Sequence, residues 1–312
     1  MTISKTFDQE KNVECVDLNE IFRNGSPKDK VRAGNLLKEA HQGIYQKTFP
    51  IPSEQEDLAD WMDRLRTGDT PQELQVFSVF GKNLDSKDPE IMGMIVSSYY
   101  KGTGVGLINY VIREKEFRED LKGKQLCKHH EKTLEDLCMR IDNKPLKMIL
   151  WEANDPSKIE WDENSPDRFE VDCMAPQKRV DHIEKNFGCK RIGIDYAQAP
   201  LSECESYKDV EDGVCDELLL YSYNAEKYNK ATVEDVEKYM ITFSQALNGA
   251  KNPKDLKHPA LVTMMNQLET MKKQSIPLLK YQQTDEQIDA LSACNDNETS
   301  KEPIGKKASL AR

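Results

Sequence analysis

The stretch from Gly93 to Leu126 limits the possible folds more than any other. Met94–Tyr100 and Leu107–Ile112 are rich in β-branched and aromatic residues, and Lys101–Gly106 between them carries three glycines, the pattern of a β-hairpin. A helix follows from about Gly123. Leu126, His130, Leu134, Leu137, Cys138 and Ile141 recur at helical spacing and give it one largely apolar face. Leu146–Ala153 then reads as a buried strand between Asn143 and Asn154-Asp155-Pro156. Strand, helix and strand in this order predict a parallel crossover over about residues 107–153.

The remaining pattern extends this into an α/β (α+β) chain, a twisted mixed sheet flanked by helices. Val13–Leu18, Leu74–Phe80, Arg191–Tyr196 and Glu217–Tyr223 read as further strands. Val31, Leu36, Leu37, Ala40 and Ile44 mark one helical face, ended by Phe49-Pro50-Ile51-Pro52. Ser53 and Glu56 form a capping-box pattern for a helix to about Arg66. Another helix opens at Pro176 and closes at Gly188. Two amphipathic helices follow, marked by Val233, Val236, Met240, Phe243 and Leu247, and by Leu261, Met264, Met265, Leu268 and Met271. The expected organisation is a flexible N-terminus at 1–12, a mixed-sheet domain at 13–225, a helical C-terminal extension at 226–283 and a disordered tail at 284–312. Two acidic loops, 155–177 and 201–217, interrupt the second half.

Charge excludes some functions. At 312 residues, 32% of them charged, the net charge is -11. No nucleic-acid or anionic-membrane partner is expected, since both need a basic face. A cationic small molecule or a basic protein segment is compatible. The eight cysteines (15, 127, 138, 173, 189, 204, 215 and 294) include no Cys-x-x-Cys pair, and no histidine joins them at ligand spacing, so no metal is expected. Without a secretory signal or an apolar run of membrane-spanning length, reduced thiols in the cytoplasm are expected. Export by a signal-independent route stays open.

The chemistry concentrates at Arg118-Glu119-Asp120-Leu121-Lys122-Gly123 and Lys124, where the hairpin meets the helix. The first helical turn has backbone amides without internal partners, and its dipole favours an anion such as pyrophosphate. Arg118, Lys122, Lys124 and Lys128 add positive charge, while Glu119 and Asp120 remove some. An ordinary basic helix start is the other reading.

This segment resembles the coenzyme A signature of the GNAT N-acetyltransferases, (Q/R)-x-x-G-x-(G/A). Arg118 takes the first position and Gly123 the last, with Leu121 where the family prefers glycine. Arg179–Cys189 is similar to the family's fourth helix, and Tyr196-Ala197-Gln198-Ala199-Pro200-Leu201 to its Tyr-x-Gln-x-Pro-Leu piece. The resemblance covers roughly 13–223 and implies a GNAT-like sheet. It also implies acetyl-CoA as co-substrate and direct attack by an amine, from a small molecule or a lysine-bearing protein, in a ternary complex.

By the same resemblance, Val111, Ile112 and Arg113 form the strand edge for pantetheine, and 118–124 the pyrophosphate cradle. Glu152, at the end of its strand, is the candidate base; a solvated strand-end carboxylate is the alternative. Tyr99 and Tyr100 are further candidates. Many members carry a tyrosine as general acid five residues after the helix-opening arginine; Glu184 stands there, with Tyr196 as a possible substitute. Leu121 and Glu184 favour a second reading, a non-catalytic GNAT-like module that binds coenzyme A or a protein.

Overall fold

The structure is a computed structural model, which describes residues 3–49, 55–67, 70–158, 175–200, 214–249 and 252–279. Eight strands form one sheet in the order β1-β2-β3-β4-β5-β6-β8-β7. They are β1 Lys5–Asp8, β2 Val13–Asp17, β3 Glu73–Lys82, β4 Glu90–Tyr100, β5 Val105–Arg113, β6 Met148–Asn154, β7 Lys190–Arg191 and β8 Leu218–Ser222. β5 and β6 pair in parallel, as the crossover predicts; every other neighbouring pair is antiparallel. The helices are α1 Leu18–Asn24, α2 Pro27–Ala40, α3 Gln46–Thr48, α4 Leu58–Thr67, α5 Gly123–Asp142, α6 Pro176–Phe187, α7 Val233–Asn248 and α8 Pro259–Gln274. A π-helical turn, His41–Tyr45, joins α2 to α3.

Alternation along each strand divides the core between the two faces. Ile95, Tyr99, Ile108, Ile149 and Tyr221 pack against Leu126, Leu134 and Cys138 of α5 and Val180 and Ile183 of α6. The opposite face is shared by two helical layers. Phe77, Val79, Met94, Val96 and Ile112 meet α2 and α4 through Leu36, Leu37, Trp61 and Leu65. Tyr100, Val105, Leu107, Met148, Leu150 and Leu220 meet α7 and α8. The layers divide near the middle of β4 and β5, where the register slips: Val96 faces Tyr110 and Ser97 faces Ile108, so Asn109 is an extra residue.

Local signals explain the helix ends. Ser26 Oγ accepts from the Asp29 amide at 3.3 Å while Asp29 Oδ2 accepts from the Ser26 amide at 3.2 Å, and Pro27 supplies a fixed first turn. Thr232 and Asp235 repeat this reciprocal cap at α7. Gly188, at φ 63°, ends α6 in the left-handed region.

Several expectations need correction. Residues 1–12 are not uniformly loose: Lys5–Asp8 pairs with β2, and the Ile3 amide donates to Asp85 Oδ1 at 3.0 Å. Val31 is 66% exposed rather than on the buried face of α2. Arg191–Tyr196 is not a continuous strand. Past Arg191 the chain bends toward the end of α8, where the Gly193 amide donates to Leu278 O at 2.8 Å and the Asp195 amide to Gln267 Oε1 at 2.7 Å. Ser53 of the capping-box pattern, most of both acidic loops and the tail at 284–312 lie outside the described residues.

Candidate active site at the parting of two strands

The parallel ladder ends where Ile108 faces Trp151. Beyond it β6 continues with β8 alone, so Glu152 is its first residue past the parting. On β5, the Glu114 amide donates across to Met92 O at 2.9 Å. Strand alternation therefore turns the amides of Arg113 and Val111 to the other edge, which β6 has left. Ile112, between them, turns its side chain into the α2–α4 core. Asn109 lies at the parting, and its buried Oδ1 has no hydrogen-bond partner among the described residues.

Glu152, itself half-buried, is held against buried tyrosines. The Tyr196 hydroxyl donates to its Oε1. Burial pushes the Glu152 carboxyl up to about 7, and the Tyr196 hydrogen bond offsets part of that rise. Burial, with the neighbouring carboxylate, also raises the Tyr196 phenol well above its ordinary range, so it keeps its proton. Tyr239 of α7 brings a second buried hydroxyl, without a hydrogen-bond partner among the described residues, and its ring meets Tyr100 edge-on at 5.0 Å. Tyr100 donates to Glu73 Oε1 at 3.5 Å, and Ser98 donates to the same oxygen. Burial raises the Glu73 carboxyl as well, while the Arg64 charge counters it.

The cradle segment is partly satisfied by its own chain. The amides of Asp120 and Leu121 both donate to Phe117 O, at 3.0 and 2.8 Å, and the Lys122 amide donates to Gln125 Oε1 at 3.1 Å. Gly123 and Lys124 open α5, where the first amides lack helical acceptors. Arg113 reaches this corner and donates to Leu121 O at 3.0 Å. Charges partly cancel here: Lys122 pairs with Glu119 at 2.7 Å and Lys11 with Asp120 at 3.3 Å. Arg118 follows the 3-10 turn Lys115–Phe117.

Leu121 does not fill the cradle. Its side chain is fully buried in the α5 core, seated on Gly93. A Cβ at Gly93 would come within 2.8 Å of Leu121 Cδ2 and 2.7 Å of Ile112 O. Gly93→Ala should therefore destabilise the protein by about 1–3 kcal/mol in urea unfolding, by overpacking against backbone. An unchanged midpoint would show that β4 can move away.

Of the residues singled out from sequence, Glu152 and Tyr196 meet directly. Glu184 does not join them: it is exposed on α6 and neighbours Tyr221, on the opposite face of the sheet. Tyr99 also faces the α5 side, donating to Asp142 Oδ2 at 2.5 Å, whereas Tyr100 faces the Glu152 side. Glu73, Asn109 and Tyr239 were missed. Asn109 carries a legible signal, an amide inside an otherwise apolar strand. Tyr239 carries none, since it sits on a face that reads as core.

No family model matches the chain, and no curated protein matches it. Solved structures do. A protein assigned to the GNAT-family acetyltransferases, from Bacteroides thetaiotaomicron, is 14% identical over 70% of this chain and 95% of its own, with a TM-score of 0.37. The aminoglycoside 6'-N-acetyltransferase from Enterococcus faecium is 13% identical over 64% and 92%, at 0.34. The ribosomal-protein-S18-alanine N-acetyltransferase from Escherichia coli is 8% identical over 63% and 88%, at 0.30. The strand order and the parting of β5 from β6 are the arrangement that the resemblance to the GNAT family implies.

Proposed function

We propose that this GNAT-like protein is an acetyl-CoA-dependent N-acetyltransferase acting on an amine. The observation that carries the reading is Glu152: a half-buried carboxyl pushed up to about 7, at the point where a parallel strand pair opens. A group near neutrality is suited to take a proton from an ammonium and release it again. The open edge fits a coenzyme with amide groups, because Val111 and Arg113 turn their amides to it. The amides of Gly123 and Lys124, with the Arg113 guanidinium beside them, fit its phosphates.

Bound acetyl-CoA would supply the acetyl group as a thioester. Glu152 accepts the ammonium proton and leaves the amine free to attack. A backbone amide of β5 would donate to the carbonyl oxygen as charge develops there; the C–N bond forms as the C–S bond breaks, and coenzyme A leaves as the thiol with the second proton that the nitrogen sheds. Asn109 Oδ1 accepts an N–H of the amine, and Tyr196 holds the Glu152 carboxylate in place. The acceptor class is a cationic amine, of a small molecule or a lysine-bearing protein, drawn by Glu152 and Glu73. We place the reaction in the cytosol: Cys15, Cys127, Cys138, Cys189 and Cys215 are unpaired thiols. No helix among the described residues is long and apolar enough to cross a membrane.

A thiol-release assay across a panel of polyamines, aminoglycosides and lysine peptides tests the activity; no turnover with any of them would leave only the binding module. Calorimetry tests the cradle. Lys124→Glu is expected to weaken acetyl-CoA binding roughly tenfold, or ~1.4 kcal/mol. Unchanged affinity would move the phosphates away from the head of α5.

A further inference from the structure

On the face away from Glu152, three side chains distant in sequence meet at the edge of the sheet. Cys15 and Asp17 are two apart on β2 and therefore point the same way. His129, on α5, reaches down to both. Its Nε2 lies 2.7 Å from Asp17 Oδ1 and 3.7 Å from Cys15 Sγ, and Sγ lies 3.7 Å from the same oxygen. We propose that Cys15, Asp17 and His129 form a site for a zinc-type divalent cation, with water as the fourth ligand.

The donor set selects the metal. One sulfur, one imidazole nitrogen and one carboxylate oxygen suit a borderline-soft ion and disfavour magnesium or calcium, which take oxygen. Spacing agrees with a tetrahedron. Zinc distances of about 2.3 Å to sulfur and about 2.0–2.1 Å to nitrogen or oxygen put sulfur about 3.5 Å from each partner and the other two about 3.3 Å apart. Both sulfur distances already match; only the His129–Asp17 hydrogen bond must open, by about 0.6 Å. His129 and Asp17 are 25% and 22% exposed, which gives an ion a path and a water position.

The surroundings hold these ligands as a metal site requires. Ser78 Oγ donates to Asp17 Oδ1 at 2.7 Å. Having spent its proton there, Ser78 accepts from His130 Nε2 at 2.9 Å, and His130 Nδ1 then accepts from Ser97 Oγ at 2.7 Å. The rings of Phe7 and Phe80 stand edge-on to His129, at 5.9 and 5.6 Å, and fix its plane. On binding, the Cys15 thiol loses its proton to the buffer and the thiolate takes the ion. The bound metal would tie β2 to α5. No spacing in the sequence reveals this group, because β2 and α5 meet only through the fold.

The test is titration of the full chain with cobalt(II), an optical stand-in for zinc. One equivalent should give a sulfur-to-metal charge-transfer band and tetrahedral d–d bands, both removed by zinc. Zinc should raise the unfolding temperature and magnesium should not. Cys15→Ser, close in size, and His129→Gln should abolish the charge-transfer and tetrahedral bands respectively. Ser78→Ala should weaken zinc by about tenfold or more. Calorimetry in two buffers, which needs no variant, should show proton release from the thiol. No band at equimolar cobalt, or a charge-transfer band that persists in Cys15→Ser, would overturn the proposal.

Discussion

Glu152→Gln is expected to lower kcat/KM about 10²–10⁴-fold and to remove the pH dependence near neutrality. The wild-type rate should rise through pH about 7, where Glu152 loses its proton, and level off above it. The amide cannot titrate, so the variant's residual rate should lack that limb. Stability moves the other way. The folded-state value of about 7 lies above the ordinary 4.5, so the native chain holds the extra proton between them. Stability is then fully present below the lower value and falls as pH rises toward the upper one, by on the order of 3 kcal/mol in all. Glutamine keeps an oxygen for the Tyr196 hydroxyl and removes the half-buried charge. The variant should therefore unfold less readily than wild type at pH 8. A variant with the wild-type pH profile would show that another group is the base.

How far the sequence reveals this site depends on what kind of signal each residue carries. The hairpin, α5 and the parallel β5–β6 pair follow from period and turn chemistry within one continuous stretch, and they are found where expected. Glu152 was legible because a single carboxylate closes an apolar strand. Its companions were not. Glu73 stands just before the strand read from Leu74, yet it is buried, with Ser98 and Tyr100 of the neighbouring strand donating to it. The bend after Arg191 follows from pairing with Leu278 and Leu279, more than eighty residues on, which no local pattern encodes. Glu184 shows the opposite failure. A position matched to a family motif says where a residue stands in its helix, not which face of the sheet that helix covers.

The largest stability effect should come from the C-terminal helices. Read from the sequence as an extension that packs on the sheet domain, α7 and α8 cover Tyr100, Val105, Leu107, Met148, Leu150 and Leu220, each at most 1% exposed. Uncovering large apolar side chains costs about 1.5–3 kcal/mol each, so six of them approach on the order of 10 kcal/mol, a domain's whole stability. A chain ending at Asn224 should show no cooperative unfolding transition. Leu268→Ala, a single cavity in the same layer, should cost about 2–5 kcal/mol in urea unfolding. A fragment that melts cooperatively would contradict the shared core. The extension also reaches the site. Gln267 accepts from the Asp195 amide and donates to Asp195 Oδ2, both at 2.7 Å, one residue from the tyrosine that holds Glu152. On the proposed mechanism, Gln267→Ala should lower kcat more than its modest loss of stability explains, with acetyl-CoA affinity unchanged, because the lost clamp lies beside Tyr196 and Glu152 and not at the head of α5.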